Sequence, residues 1–206
     1  MNWIIEKLKM LKYVEITASW LFANAKGRDA KTFVKGPQFA SYPEPTIQIT
    51  SPDCGASPAT LSPEYIAGGD GRLPSLEWNT VPGVKQWILI CEDVDAPLPN
   101  PICHGLYLGI SKDKLSVTTS DFKPENEKST RLNGGFHYGT SRIWIPPRPL
   151  LNHGIHRYFF DIIALSEPLD EKLAASKPTR EQLAKEIDGK ILGWGRWIGQ
   201  CERVWK

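Results

Sequence analysis

Long uninterrupted apolar runs are missing from this chain of 206 residues, and so is any block of like charge, since 25 basic side chains face 23 acidic ones. The first absence excludes a bilayer-spanning helix, and the second leaves nucleic-acid binding without an electrostatic footprint. Cysteine is scarce: Cys54, Cys91, Cys103 and Cys201 form no CxxC pair and no zinc-ligand spacing. Reduced thiols in a reducing compartment follow as the expectation. With no secretory leader pattern seen, the expected location is cytoplasmic. Cofactor and nucleotide motifs are lacking too, with no GxSxG elbow, no GxxxxGK[ST] loop, no GxGxxG after a strand and no HExxH pair. No cofactor and no metal are therefore expected.

What the chain does have is 17 glycines and 17 prolines, more than a helical bundle tolerates. They punctuate short apolar segments in a chain long enough for one domain with a real core. Residues 46–50 (TIQIT) alternate with period two, as a half-buried strand does. Residues 76–78, 85–92 and 106–110 read as further strands, and residues 156–165 (HRYFFDIIAL) form the strongest strand pattern in the chain. Residues 112–142 are polar and irregular, a long surface insertion. Helical spacing occurs at each end. Ile4, Leu8, Leu11, Val14, Ala18 and Leu21 repeat with helical period before an arm that runs to residue 45. Interrupted by Glu6, Lys7, Lys9, Lys12 and Glu15, that segment packs on its own domain or lies on a membrane surface. Near the other end, Thr179 and Gln182 form a capping-box start. Leu183, Ile187 and Ile191 continue that helix, and Gly193 and Gly195 end it. The expected fold class is mostly β, with a helix towards each end.

Side chains with catalytic or ligating potential concentrate at two places. Asp93 and Asp95 stand two apart where the 85–92 strand ends, a spacing that puts them on one side of an extended chain. His156 and Tyr158 share a face at the start of the strongest strand, and His104 opens another. A histidine beside carboxylates is held in one orientation and favoured in its charged form, so this set suits an anionic ligand. Each residue also has a structural reading: an Asp accepting turn hydrogen bonds, or a satisfied histidine.

Asp93-Val94-Asp95-Ala96-Pro97 resembles the DPDAP signature of the phosphatidylethanolamine-binding protein family, with His104 where that family has a histidine opening its next strand. Pro147-Arg148-Pro149-Leu150 followed by Gly154-Ile155-His156-Arg157-Tyr158 is similar to its second signature, GPxP…GxHRY. Ser51-Pro52-Asp53-Cys54-Gly55, Leu76-Glu77-Trp78 and Gly199-Gln200-Cys201-Glu202-Arg203 extend the likeness from about residue 46 onwards, and the long insertion looks like the larger fungal branch. The resemblance implies a two-sheet β-sandwich with peripheral helices and an anion pocket lined by Asp93, Asp95, His104, Pro147, His156 and Tyr158. It also implies a small-molecule or phospholipid head-group ligand, or a kinase or protease as protein partner. Val94, Gly105, Pro146 and Cys201 depart from the family pattern and change the pocket walls. Three functions follow: a binding protein for small anions, a cofactor-independent enzyme in which Asp93 and His156 move a proton to epimerise, cyclise or isomerise a metabolite, or an inhibitor of a kinase or protease.

Overall fold

The chain was analysed as a computed structural model that describes residues 2–127 and 129–205, without the side chains of residues 2 and 4–9. Its organising strand is β4 (Gln86–Asp93), buried along both faces. Trp87, Leu89 and Cys91 enter one core while Ile88 and Ile90 enter a second, which is why the run carries no polar alternation. Antiparallel neighbours flank it: β5 (Ile102–Ser111) on one side and β8 (His156–Leu165) on the other. The edges are filled by β9 (Ile191–Cys201), then β2 (Ala59–Thr60), and by β7 (His137–Tyr138), in the order β2-β9-β8-β4-β5-β7. All pairings are antiparallel except β2 with β9. A small second sheet of β1 (Ile49–Thr50), β3 (Leu76–Trp78) and β6 (Ser116–Val117) has the order β1-β3-β6. Its Ile49, Leu76, Trp78 and Val117 close the first core. The second core lies on the other face of the large sheet, under α2 (Glu171–Ala175), α3 (Arg180–Ile187) and the 3₁₀ turns of residues 29–39.

The architecture is the mostly β, two-sheet arrangement expected, but α2 is an added helix, the 106–110 strand lengthens to β5, and two further boundaries differ. The 46–50 strand shortens to β1, because the Thr46 and Ile47 amides both donate to the Trp194 carbonyl instead of a ladder. The helix predicted after Thr179 is α3 and ends at Ile187, and Ile191, Gly193 and Gly195 belong to β9. Those glycines are strand residues because the 46–47 segment crosses directly over them. A Cβ on Gly193 would sit 2.5 Å from the Thr46 hydroxyl, and one on Gly195 would overlap the Ile47 carbonyl oxygen. The 112–142 excursion contains β6, β7 and a 3₁₀ turn.

At the N-terminus, α1 (Asn2–Leu21) is helical as its spacing predicts; the side chains of Ile4 and Leu8 lie outside the described residues. Its docked side is the polar one. Glu15 pairs with Arg148 at 2.8 Å and Arg203 at 3.4 Å, and Ser19 is buried, while Met10, Val14 and Leu21 stay exposed. Among the described residues no helix is long and apolar enough to cross a membrane.

Gly195→Ala is expected to cost about 1–3 kcal/mol of stability, the range for overpacking a close contact. The check is urea unfolding, with a lower midpoint at an unchanged slope.

Candidate functional site

Where β4 ends, the backbone leaves the ladder and Asp93 takes over the bonding. Its Oδ1 accepts the backbone N–H groups of Asp95 (2.9 Å) and Ala96 (3.0 Å), and its Oδ2 accepts from His156 Nδ1 at 2.9 Å. The turn moves Asp95 off the extended path, so the shared side predicted for the two aspartates is lost. Asp95 faces Arg157, accepting its N–H and Nε at 2.9 and 2.8 Å and its second guanidinium nitrogen at 2.9 Å. Burial alone would raise the Asp95 carboxyl, but the Arg157 guanidinium and amide, with the Gly27 N–H, outweigh it and hold it below the usual range. Arg157 also grips Asp29 through two bonds of 2.8 and 2.9 Å, tying the N-terminal arm down. Thus Asp95 is an anchor, and Asp93 alone orients a histidine. Val94 uses its freedom from proline: its N–H donates to the Arg157 carbonyl at 3.3 Å.

His156 is engaged at both nitrogens. Beyond Asp93, its Nε2 meets His153 Nδ1 at 2.7 Å, and His153 Nε2 meets the Phe22 carbonyl at 2.9 Å. The partners assign the hydrogens. Phe22 only accepts, so His153 Nε2 carries a hydrogen; an ionised Asp93 only accepts, so His156 Nδ1 carries another; the ring-to-ring contact needs one more. Two imidazoles with three hydrogens hold one positive charge, which balances Asp93. Burial pushes His153 below its usual value, outweighing the pull of the Phe22 carbonyl and of Asp93. His153 was not a candidate on sequence. The signal available was its setting, since Asn152 (φ 61°) and Gly154 (φ 80°) both adopt left-handed backbone, which folds residue 153 back over residue 156.

His104 approaches the Asp93 carboxylate from another side. Its Nδ1 donates to the Ile145 carbonyl at 2.6 Å. Burial lowers its pKa against the pull of that carbonyl and of Asp93. A neutral ring with Nδ1–H leaves a lone pair on Nε2. That atom is buried with no hydrogen-bond partner, 4.0 Å from Asp93 Oδ2. The Tyr158 ring packs edge-on to His104 at 5.1 Å. Its hydroxyl is likewise buried beside the Cys201 thiol without a well-formed bond. Burial drives its pKa upward, so it remains a donor. Trp144, 6.1 Å from His104, adds a third orphan, its indole N–H. Buried polar atoms are nearly always satisfied, so a base, a hydroxyl and an indole N–H left unpaired around one histidine make this cluster the candidate site.

The walls follow from the departures noted above. Ile143 accepts from the Tyr107 hydroxyl at 2.8 Å and Ile145 N–H donates to the His104 carbonyl at 2.9 Å, so Trp144 is pinned on both sides. A side chain at Gly105 would meet the Tyr107 hydroxyl at 2.6 Å; glycine there lets the tyrosine reach Ile143. Pro147 is buried and enters through its carbonyl, which takes the Ala67 N–H at 2.9 Å and fixes the loop. All four cysteines are free thiols. Among the described residues no group of three His, Cys, Asp or Glu side chains could hold a metal ion.

Comparison with known proteins gives consistent results. The family model described as phosphatidylethanolamine-binding protein matches residues 51–202. A protein of Fungal sp. (strain ATCC 74256), named phomoidride biosynthesis cluster protein B, is 39% identical over 202 residues, covering 95% of this chain and 97% of its own. Its namesake in Talaromyces stipitatus is also 39% identical, over 204 residues, with 95% and 84% covered. Among solved structures, a putative homologue of the same family from Chlamydia trachomatis aligns with a TM-score of 0.58 at 20% identity, over 78% of this chain and 99% of that one. YbcL of Escherichia coli gives 0.57 at 18%, over 76% and 98%.

Two outcomes are expected. His153→Phe leaves the buried His156 Nε2 without a partner and should lower stability by about 1–3 kcal/mol, read by chemical unfolding, with His153→Gln milder. Second, His104 binds a proton less readily in the fold than its ordinary value of 6.5. The unfolded chain therefore takes up protons first, and stability falls as pH drops from about 6.5 through the folded value. In His104→Gln this part of the slope disappears, which unfolding curves measured from neutral into acidic pH will show as a difference from the parent.

Proposed function

We propose a function from one premise: the chain belongs to the phosphatidylethanolamine-binding protein family. Within it, this protein is a cofactor-independent catalyst of proton transfer on a carbonyl-bearing small metabolite in a biosynthetic pathway. The observation that carries this reading is the unpaired Nε2 of neutral His104 beside the unpaired Tyr158 hydroxyl. A site built only to hold a fully ionised phosphate would present donors; a buried lone pair repels such an anion unless a proton arrives with it. A lone pair beside a hydroxyl instead suits removal of hydrogen next to a carbonyl.

The electron and proton flow is simple. The C–H bond breaks, its proton passes to His104 Nε2, and its electron pair forms the enolate, whose oxygen receives a hydrogen bond from Tyr158. Donors placed for a developing oxyanion are worth about 10²–10³ in rate. Returning the proton to the other face epimerises, returning it to a conjugated carbon isomerises, and attack of the carbanion on an electrophile within the same molecule cyclises. Asp93, hydrogen-bonded to His156, lies 4.0 Å from His104 Nε2 and positions the pair rather than serving as the base. Two relatives named for a biosynthesis cluster support a metabolite as substrate. The second reading, binding of a carboxylate, phosphate or lipid head group without turnover, is supported by the two buried donors, Tyr158 and the Trp144 indole.

The test is deuterium uptake from D2O at the α-carbon of a panel of β-keto acids and β-keto esters, followed by mass spectrometry. His104→Gln should lose about 10²–10⁴ of the exchange rate, and Tyr158→Phe about 10²–10³. Exchange that persists in His104→Gln, or a parent protein that binds the panel without exchange, would overturn the catalytic reading in favour of binding.

A further inference from the structure

Trp144 belongs to two places at once. It packs against His104 at 6.1 Å and Phe160 at 6.0 Å, and it also lines a surface groove of about 570 Å³. The groove has an apolar bed of Leu73, Phe122, Ile143 and Trp144. Its charged lining is basic, with Arg72, Lys123 and Arg142 against Asp70. Arg72 is already committed, to Glu64 and Asp70, and lies over the Tyr65 ring. Lys123 and Arg142 are different. Among the described residues neither side chain has an ion pair or a hydrogen bond. Elsewhere this fold pairs its arginines closely, Arg157 with Asp29 and Asp95, and Arg196 with Asp161. Two unpaired cations beside an apolar bed, adjoining a site with a buried base, form an arrangement that has a use.

We propose that this groove recognises the non-reacting part of the substrate and that it takes an amphiphilic carboxylate. A hydrocarbon chain or ring lies on Leu73, Phe122 and Ile143, and the carboxylate is held by Lys123 and Arg142. The inference rests on the proton-transfer reading in one respect only, that the reacting carbonyl lies on the His104 side of Trp144. Its chemistry is independent. Burial of apolar surface supplies most of the affinity at roughly 25 cal/mol per Å². The cations select a charged head, and Arg142 can offer a carboxylate two parallel donors. Because both cations are exposed, their attraction is screened by salt, whereas contact with the bed is not.

The experiment uses octanoate as probe, with acetate and 1-octanol as comparisons, and follows the tryptophan indole N–H signals of the full chain by ¹H–¹⁵N NMR. Octanoate should shift the indole signal that disappears in Trp144→Phe, and bind more weakly at high salt. Acetate lacks the chain and octanol lacks the charge, so both should bind at least about tenfold more weakly. The double variant Lys123→Glu/Arg142→Glu should lose about tenfold or more in octanoate affinity, while Lys85→Glu, an exposed charge reversal away from the groove, should not. The proposal is overturned if octanol binds as tightly as octanoate, if the double variant keeps the parent affinity, or if octanoate leaves the Trp144 indole signal unmoved. Binding is read without turnover, so loss of the groove and loss of α-hydrogen exchange are separate failures.

Discussion

The carboxylate of Asp93 is the group on which the rest of the site depends. It is almost completely buried, and a carboxylate in that position is tolerable only if both oxygens are hydrogen-bonded. One oxygen gathers the Asp95 and Ala96 amides and so creates the turn; the other holds His156. The consequences spread outward. The turn swings Asp95 to Arg157, Arg157 reaches Asp29, and the arm leading from α1 is thereby laid across His153 with the Phe22 carbonyl in hydrogen-bonding reach. A single buried charge thus fixes the end of a strand, a histidine pair and the path of the N-terminus.

A second constraint is the two-sidedness of β4 and β5. Successive residues face opposite cores, so Glu92 and Asp93 stand back to back across one backbone, as do Cys103 and His104. On the helix side, Glu92 is satisfied by the Phe33 amide at 2.7 Å and Arg180 at 2.8 Å, although burial still raises its carboxyl. On the other side, Asp93 is satisfied while His104 and Tyr158 are not. The contrast separates an acid used up in holding the fold from a candidate site whose polar atoms the fold leaves open.

Much of this was legible in the chain. The period-two and all-apolar runs located β4, β5 and β8, because a strand's neighbours are written into its alternation. The ordered Asp93…His104…His156-Arg157-Tyr158 series located the cluster. Other features were not legible, for identifiable reasons. Ile191 falls in helical register with Leu183 and Ile187, so local pattern extended α3 through it; only the crossing of residues 46–47 over Gly193 and Gly195 shows why a strand begins there. Asp93 and Asp95 look equivalent by spacing, yet one departure from extended backbone gives them different partners. His153 sits in what reads as a turn, and Trp144 in what reads as a proline-stiffened linker.

Asp93, His104, His156 and Tyr158 are brought together in the fold, while Asp95 is turned away to anchor Arg157. By itself the sequence determined the mostly β class, the family and the stretch of chain where chemistry concentrates, since these depend on residue type and local spacing. Which nitrogen is free, which carboxylate is spent on an arginine, and which cations remain unpaired were decided by tertiary structure alone. Those are properties of partners brought together from as far apart as Phe22 and His153, and no local pattern records a partner 131 residues away.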